Sequence, residues 1–261
     1  MKKLSFVIVE YHSVFDVLQA VSFIDHFLQK IDYEIIVSSN SCYSEQRKRE
    51  IINEKKFNVK WLFNSFNGGF AYAMNQGLKM ASGDYLIVMN PDVRLVTRID
   101  EMISFLDSHV NVGAIAPQII NTNSQIQDSC RNFITLLSFF KRHFSRLLFS
   151  SIQQDIDVSK VQTVDWVIGA FIMVKREVYN ITQGFDESYF LYCEDMDWCR
   201  RIWKAGYKIV YFPLTKISYE GTRSARRSLR FSLIFVRSLL RYWRRFGCLQ
   251  REYNEHIEYL S

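Results

Sequence analysis

Residues 83–95 read GDYLIVMNPDVRL. The run from Tyr85 to Met89 is wholly apolar or aromatic, which is typical of a buried β-strand. Pro91 ends that strand because proline has no N–H to donate to a sheet. The pattern therefore leaves Asp92 on a turn just beyond the strand. A carboxylate in this position suits a divalent cation, and it suits an ordinary Asn-Pro-Asp turn equally well.

Strands and helices alternate through the first part of the chain. The predicted strands are LSFVIVEY at 4–11, YEIIVSSN at 33–40, NVKWLFN at 58–64 and GDYLIVMN at 83–90, and helical spacing covers about 15–30 and 67–82. Alternation of this kind predicts an α/β sheet of largely parallel strands. Because ligands bind beyond the carboxyl ends of such strands, we expect Tyr11, Ser39 and Asp92 to lie on one rim.

The bulk composition is that of a globular chain. It has 261 residues, 48% apolar content and a formal net charge of +6, enough for one large core or two small ones. Five cysteines without a Cys-x-x-Cys pair indicate reduced thiols in a cytosolic protein. The opening MKKLSFVIVEY predicts a first strand and not a signal peptide, and no stretch approaches the ~18 uncharged apolar residues of a membrane span.

A second group of acids lies far along the chain, in CEDMDWCRR at 193–201. Helix electrostatics account for Asp197, which can pair with the arginines one turn later. They leave the adjacent Glu194 and Asp195 unexplained. Clustered carboxylates raise one another's pKa, a useful property in a general base, so we favour Asp195 for that role.

The helix predicted at 67–82 opens with Asn67 as its N-cap, followed by Gly68 and Gly69. Small residues there allow close backbone approach, and the positive helix end suits a phosphate. The stretch lacks the Gly-Lys-Ser/Thr of a P-loop and the full Gly-x-Gly-x-x-Gly. As a general nucleotide motif it is therefore weak.

Taken together, these stretches resemble the inverting family 2 glycosyltransferases of the rhamnosyltransferase type. Five blocks match in order and spacing over about residues 4–224: VIVEYHS at 7–13, NGGFAYAMNQGL at 67–78, GDYLIVMNPDV at 83–93, VDWVIGAFIMVKREVY at 164–179 and GFDESYFLYCEDMDWCRRIWKAGYKIVYFP at 184–213. The resemblance implies the α/β GT-A fold, a Rossmann-like nucleotide-binding sheet flanked by helices. It also implies transfer of a sugar from a nucleotide-sugar donor with inversion at the anomeric carbon.

The resemblance further implies roles for individual residues. Asn90-Pro91-Asp92 stands where the family carries its Asp-x-Asp-type motif, so Asp92 would hold Mg²⁺ or Mn²⁺ against the donor diphosphate. Asp195 would be the general base that deprotonates the acceptor hydroxyl, and Glu194 would orient the base or the acceptor. The remaining matches are Trp166, Gly169 and Ala170 in the sugar and acceptor pocket and Asn67, Gly69 and Asn75 on the nucleotide-proximal helix.

Two positions depart from the family pattern. Ser39 stands where the family's second strand usually has an aspartate that contacts the base, and a serine can hydrogen-bond there but carries no charge. Tyr219 stands where the family often has a metal-binding histidine, and a neutral phenol is a poor ligand near pH 7. Either Glu220 replaces the histidine, or the cation is held by Asp92 and the diphosphate alone. Arg223 in the same loop is the candidate for binding the donor phosphates.

The basic charge is concentrated near the C-terminus, where residues 221–250 contain eight arginines and no acid. A helix from Arg226 onward would align arginines in one stripe beside a wide apolar arc. Two interpretations stay open: a helix packed on the catalytic domain with solvated arginines, or an interfacial helix on an anionic membrane surface, which the basic segment 131–149 would join. Nucleic acid is not an expected partner, because the arginines lie on one amphipathic tail without a reader motif.

These interpretations define the function that we expect. We expect a GT-A catalytic domain at 1–224 with a helical basic C-terminal extension at 225–261. The resemblance implies that it transfers L-rhamnose from dTDP-L-rhamnose to a polyprenyl-diphosphate-linked glycan, and together with the basic tail it predicts a cytoplasmic protein that is peripheral on the inner membrane face. One alternative is a UDP-hexose-dependent glycosyltransferase. Another is a non-catalytic glycosyltransferase-like binding protein in a glycan assembly complex, which the two departures favour and the retained acids oppose. The oligomeric state is left open.

Overall fold

The computed structural model describes residues 2–54, 57–139, 156–220 and 229–248. Within them the strands are β1 Leu4–Glu10, β2 Tyr33–Ser39, β3 Val59–Phe63, β4 Tyr85–Met89, β5 Arg94–Leu95, β6 Val112–Ile120, β7 Cys130–Arg131, β8 Gln162–Thr163, β9 Trp166–Val167, β10 Phe171–Lys175 and β11 Lys208–Ser218. The helices are α1 Val14–Phe27, α2 Glu45–Asn53, α3 Phe70–Met80, α4 Asp100–Ser108, α5 Arg176–Thr182, α6 Glu194–Lys204 and α7 Leu229–Phe246.

Most of the strands join one large sheet, in the order β3-β2-β1-β4-β10-β6-β11-β5, with β8 paired to β11. The first four strands of the chain pair in parallel, as the alternation of strands and helices predicted. β10 runs antiparallel to both β4 and β6, so the second half of the sheet is mixed. The consequence for the site is that the end of β4 lies beside the start of β10, with Met89 opposite Phe171.

Apolar side chains cover both faces of the sheet, because every residue of β1 is buried and successive side chains point to opposite faces. Val7 joins one core together with residues of α3 and α6. Phe6 and Ile8 join the other core together with residues of α1 and α4. The sheet is therefore a middle layer with helices on either side, as parallel strands buried on both faces require.

The Gly-rich helix begins later than the sequence predicted. α3 starts at Phe70 with Gly69 as its N-cap, and Asn67 precedes it in a turn in which Asn67 Oδ1 accepts from Gly69 N at 3.0 Å. Gly69 has a φ of 89°, and a Cβ there would lie 2.3 Å from Phe190 O. Phe70 N donates to that same carbonyl at 2.9 Å. The prediction of Asn67 as N-cap was wrong. The positive φ of Gly69 places the start of α3 at Phe70, and Phe190 O accepts the hydrogen bond from the first N–H of the helix.

The C-terminal helix α7 packs against the preceding part of the chain. Ser238, Leu239 and Tyr242 on one side of it are buried, and Tyr242 Oη accepts from Arg200 Nη1 at 3.1 Å. The predicted domain boundary between residues 224 and 225 falls outside the described residues and stays a prediction. In the part of the chain that the structure describes, no helix combines the length and the apolar character needed to cross a membrane.

Candidate active site

The turn after β4 carries Asp92 at the rim of the sheet. β4 ends one residue before Asn90, where the sequence predicted that it would. Asn90 N donates to Ala170 O at 2.9 Å, and Val93 N donates to Asn90 O at 3.2 Å. These two bonds anchor a tight turn with the half-buried Asp92 inside it.

The surroundings of Asp92 suit a metal ligand better than a free surface charge. Burial raises the pKa of Asp92, and the negative charge of Asp16 adds to the effect. A divalent cation would remove this cost. No group of three or more His, Cys, Asp or Glu side chains within the described ranges is arranged to hold a metal. The residues therefore fit a cation that shares Asp92 with substrate phosphates and water, which is the usual arrangement for Mg²⁺.

Tyr219 reaches across to the same turn. Its Oη accepts from Asn90 Nδ2 at 3.1 Å. Burial raises the pKa of Tyr219 to about 12, and the charge of Asp92 contributes, so the phenol is neutral and a poor ligand. Glu220 is engaged elsewhere, because its Oε1 accepts from N and Oγ1 of Thr122 at 2.9 and 2.7 Å. Of the two alternatives for the metal, these contacts favour Asp92 with the diphosphate over Glu220.

The second acid group begins helix α6 and is tied to the first. Asp195 Oδ2 accepts from Gly169 N at 2.9 Å. Its Oδ1 accepts from the backbone N–H of the following residue, Met196, at 2.8 Å. The residue after Gly169 is Ala170, whose carbonyl holds Asn90. Two consecutive backbone groups therefore join the Asp195 carboxylate to the turn after β4. Residues predicted separately for the metal, the base and the pocket thus lie together.

Glu194 and Asp195 are adjacent acids, and their surroundings stabilise a negative charge on the two carboxylates to different extents. Burial raises the pKa of both, and the charge of Asp195 raises the pKa of Glu194 further. Glu194 is 6% exposed, and its Oε2 has no hydrogen-bond partner among the described residues. Asp195 is half-buried, and two N–H groups stabilise its negative charge. We infer that the pair carries its proton on Glu194 and leaves Asp195 ionised, which is the state that a general base requires.

The residues before α6 form a strongly held segment, here named the acceptor loop (residues 184–193). Tyr192 and Cys193 have left-handed φ values of 70° and 65°, which are uncommon for residues other than glycine. Asn75 on α3 holds the other end of the loop, since its Oδ1 accepts from Phe185 N at 3.0 Å and its Nδ2 donates to Phe185 O at 2.8 Å. These bonds use both ends of the Asn75 amide. The interpretation of Asn75 as a nucleotide contact stays a prediction, and its contacts in this structure are those of a clamp on the acceptor loop.

The other residues predicted for the nucleotide lie on the expected rim. Tyr11 is exposed, and its ring meets that of His12 edge-on at 4.5 Å between centroids. Asn67 is also exposed, and its Oδ1 accepts from Asn40 Nδ2 at 3.2 Å. Their contacts with a nucleotide stay predictions. Arg223, predicted for the phosphates, lies outside the described residues.

Trp166, predicted for the sugar and acceptor pocket, is mostly buried. Its Nε1 donates to Asn132 O at 3.1 Å, and the guanidinium of Arg131 lies 5.4 Å from the centroid of its ring. Arg131 also lowers the pKa of Asp195, against the larger effect of burial. The direct role of Trp166 is therefore in packing beside the site, and its contact with a substrate stays a prediction.

Sequence reasoning missed Glu10, the last residue of β1. Its carboxylate is fully buried and accepts four hydrogen bonds, from Ser39 Oγ, Ser41 Oγ, Ser13 N and Tyr43 Oη. Glu10 is also the register partner of Ser39 across β1 and β2. The carboxylate that position 39 lacks is thus present on the neighbouring strand. A lone acid that ends an otherwise uncharged buried strand was the signal for it.

The profile described as glycosyl transferase family 2 matches residues 12–181, which is more than half of the chain. This protein belongs to glycosyl transferase family 2.

Two curated relatives are both rhamnosyltransferases. The chain is 28% identical over 191 residues to the N-acetylglucosaminyl-diphospho-decaprenol L-rhamnosyltransferase of Mycobacterium tuberculosis, an alignment that covers 65% of this chain and 61% of that protein. It is 28% identical over 153 residues to the rhamnosyltransferase WbbL of Escherichia coli, covering 56% of each. The chain spans about three-fifths of the length of these relatives. Its resemblance within the family is therefore to rhamnosyltransferases, as the sequence blocks predicted.

Solved glycosyltransferase structures share the fold. The structure of GalNAc-T7 with UDP, GalNAc and Mn²⁺ superposes with a TM-score of 0.63 at 15% identity, covering 84% of this chain and 44% of that one. The mannosyltransferase PcManGT from Pyrobaculum calidifontis, in complex with GDP-Man and Mn²⁺, gives a TM-score of 0.60 at 16% identity and covers 92% and 64%. Identities this low establish the fold alone. The predicted GT-A fold is confirmed.

Proposed function

We propose that this chain is an inverting glycosyltransferase that moves L-rhamnose from dTDP-L-rhamnose to a glycan carried on a polyprenyl diphosphate. The observation that carries the proposal is the Asp195 carboxylate, which two backbone N–H groups hold next to the turn that bears Asp92. The rhamnosyltransferases among the relatives support the sugar. The name of one relative, which specifies a diphospho-decaprenol, supports a lipid-linked acceptor.

Donor binding is assigned to the Asp92 side of the rim. The Asp92 carboxylate and the donor phosphates together would hold Mg²⁺ or Mn²⁺. When bound, the cation supplies positive charge against the negative charge that develops on the departing nucleoside diphosphate. Asn90 keeps the turn in place through its bonds to Ala170 O and to the Tyr219 hydroxyl.

The transfer step is assigned to Asp195. Its carboxylate accepts the proton of the acceptor hydroxyl while that oxygen forms a bond to the anomeric carbon. The bond from this carbon to the diphosphate breaks on the opposite face, its electron pair leaves with dTDP, and the configuration is inverted. Protonated Glu194 does not compete for the proton and offers an O–H donor beside the base.

Two other functions make different predictions about the donor. A UDP-hexose transferase is the nearer alternative, because uracil and thymine present the same hydrogen-bonding edge and Ser39 with Glu10 offers nothing that separates them. A non-catalytic binding protein is disfavoured by the acid pair, since Glu194 buried against Asp195 with one oxygen lacking a hydrogen-bond partner among the described residues is costly to keep without a use.

The lipid-linked acceptor also sets the location that we propose. An enzyme that acts on such an acceptor works at a membrane surface, and we place this one at the inner, cytoplasmic face. Peripheral association with an anionic membrane surface, through the basic C-terminal helix, is therefore part of the same proposal.

A thermal-shift screen tests the donor. A ligand that binds the folded state stabilises it by about 2.7 kcal/mol at a concentration one hundred times its Kd. We expect dTDP-L-rhamnose to raise the Tm more than UDP-glucose or GDP-mannose, and Mn²⁺ to enlarge the shift. A larger shift with a UDP-hexose would move the assignment to the alternative donor. No shift with any nucleotide sugar would favour the non-catalytic protein.

A further inference from the structure

The exposed side of helix α7 carries two parallel stripes of different chemistry. One stripe is aliphatic and is between 44% and 86% exposed. Its members are Leu229, Leu233, Val236 and Leu240. The other stripe is cationic and also exposed, and its members are Arg230, Arg237, Arg241 and Arg244. On a helix with about 100° per residue the centres of the two stripes lie about 80° apart, so both stripes belong to one surface, here named the tail face.

The opposite side of α7 fixes the direction in which the tail face points. Ser238 Oγ donates to Leu191 O at 2.9 Å, and Tyr242 is buried against Arg200. Arg245, which lies outside both stripes, pairs with the fully buried Asp197 at 3.0 Å. The packed side therefore accounts for one arginine by a specific ion pair. Among the described residues no acid forms an ion pair with the four arginines of the tail face, although the guanidinium of Arg241 lies 6.0 Å from the ring centroid of Tyr189.

We infer that the tail face docks on a bilayer that contains anionic phospholipid. Exposed leucines in a row are unusual on a monomeric surface and mark an interaction site. The adjoining arginines select the partner, because an interfacial helix of this pattern buries its apolar stripe in the headgroup boundary while its cations meet anionic lipid. A second copy of this chain is a poorer occupant, because a symmetric contact would bring two arginine stripes together.

The packing of α7 links this surface to the active site. Leu191, which accepts from Ser238, belongs to the acceptor loop that leads into Glu194 and Asp195. Docking of the tail face would thus hold the acceptor loop at a set distance from the membrane. This inference rests on the peripheral association proposed above and deepens it by naming the residues and the lipid chemistry, and it does not depend on which sugar or acceptor is used.

Flotation of the full-length protein with vesicles tests the inference without any substrate. The vesicles contain phosphatidylcholine with or without phosphatidylglycerol and no polyprenyl lipid, so binding to anionic lipid is separated from binding to a diphosphate-linked acceptor. We expect the protein to float only with the anionic vesicles and to be released at high salt. Replacing two arginines in R237Q/R241Q lowers vesicle affinity by about tenfold or more, since each contributes independently near the surface.

Matched variants show whether weaker flotation results from loss of the tail face or only from a lower net charge or a loss of folding. L233S/L240S is expected to weaken flotation while leaving the unfolding midpoint unchanged, because both leucines are exposed. K30Q/R49Q removes the same charge at exposed positions outside α7 and is expected to float like the wild type. The inference is overturned if the wild type does not float, or if K30Q/R49Q weakens flotation as much as R237Q/R241Q. It is also overturned if L233S/L240S instead dissociates a dimer seen by light scattering.

Discussion

The backbone N–H of Gly169 donates a 2.9 Å hydrogen bond to Oδ2 of Asp195. The bond joins the segment that anchors the turn after β4 to the first turn of α6. It also favours the ionised form of Asp195, against burial, which raises its pKa. One backbone hydrogen bond therefore both positions the candidate base and lowers its pKa against the effect of burial.

The first prediction concerns the base itself. Asp195→Asn should lower turnover by about 10²–10⁴-fold, roughly 3–5 kcal/mol of barrier, because an amide cannot accept the proton. The amide oxygen still accepts from Gly169 N, so donor affinity measured by calorimetry should hold within a few-fold. Asp100→Asn, at a partly exposed acid on α4, is the control and should leave turnover unchanged. Near wild-type turnover by Asp195→Asn would remove it as the base.

The second prediction separates the two neighbouring acids. If Glu194 is protonated in the resting enzyme, glutamine at this position has the same charge and nearly the same shape. Glu194→Gln should therefore keep turnover within about tenfold of the wild type. A base acts when it is deprotonated, so turnover should fall as the pH drops through the raised pKa of Asp195. That midpoint should stay unchanged in Glu194→Gln. A midpoint that moves down by a full unit would mean that Glu194 is ionised in the working range.

The third prediction concerns the metal. Tyr219→His puts an imidazole next to the Asp92 turn and should tighten Mn²⁺ binding by about tenfold, since imidazole is the better ligand near neutral pH. Tyr219→Phe removes the hydroxyl that accepts from Asn90 without adding a ligand, and its metal affinity should match the wild type. Titration of Mn²⁺ followed by electron paramagnetic resonance measures both. Weaker binding in Tyr219→Phe would show that the phenol is itself a ligand.

The fourth prediction tests the relation of Glu10 to Ser39. Their side chains meet at 2.5 Å in a buried site, so Ser39→Asp sets a second carboxylate against the first. We expect it to lower the free energy of unfolding by about 3 kcal/mol, the cost of an uncompensated buried charge. Glu10→Gln in the same chain should recover at least 1 kcal/mol, which a double-mutant cycle from denaturant unfolding measures. Additive effects of the two changes would disprove the coupling.

The parallel half of the sheet could be predicted because its strands are mostly apolar runs separated by segments with helical spacing. The turn at Asp92 was predictable because the apolar run of β4 is followed at once by Asn-Pro-Asp, a common turn sequence. Proline alone is a weaker signal, since β6 and β11 contain Pro117 and Pro213. The start of α3 was not, because it depends on Phe190, more than a hundred residues away, whose carbonyl takes the first N–H of the helix. The antiparallel pairing of β10 with β4 and β6 likewise depends on contacts between segments that are distant in the sequence.

In the candidate site, too, some residues could be predicted from the sequence and others depend on contacts between distant segments. Acid positions such as Asp92 and Asp195 could be predicted from local pattern together with the family resemblance. The hydrogen bonds of Glu10 could not, because three of its four donors, Ser39, Ser41 and Tyr43, lie 29 to 33 residues further along the chain and meet it only on folding. For the same reason Asn75 was assigned to the nucleotide, whereas its contacts in the structure are with the acceptor loop.

The most direct test of the account is a transfer assay with the purified full-length protein. The donor is dTDP-L-rhamnose, the acceptor is N-acetylglucosamine on a polyprenyl diphosphate, and the lipid product is analysed by mass spectrometry and by NMR of its new anomeric centre. The account predicts an acceptor that gains one deoxyhexose, with the anomeric configuration opposite to that of the donor, and an initial rate at least about 100-fold lower with Asp195→Asn. A product of retained configuration, or equal product from the wild type and Asp195→Asn, would contradict it.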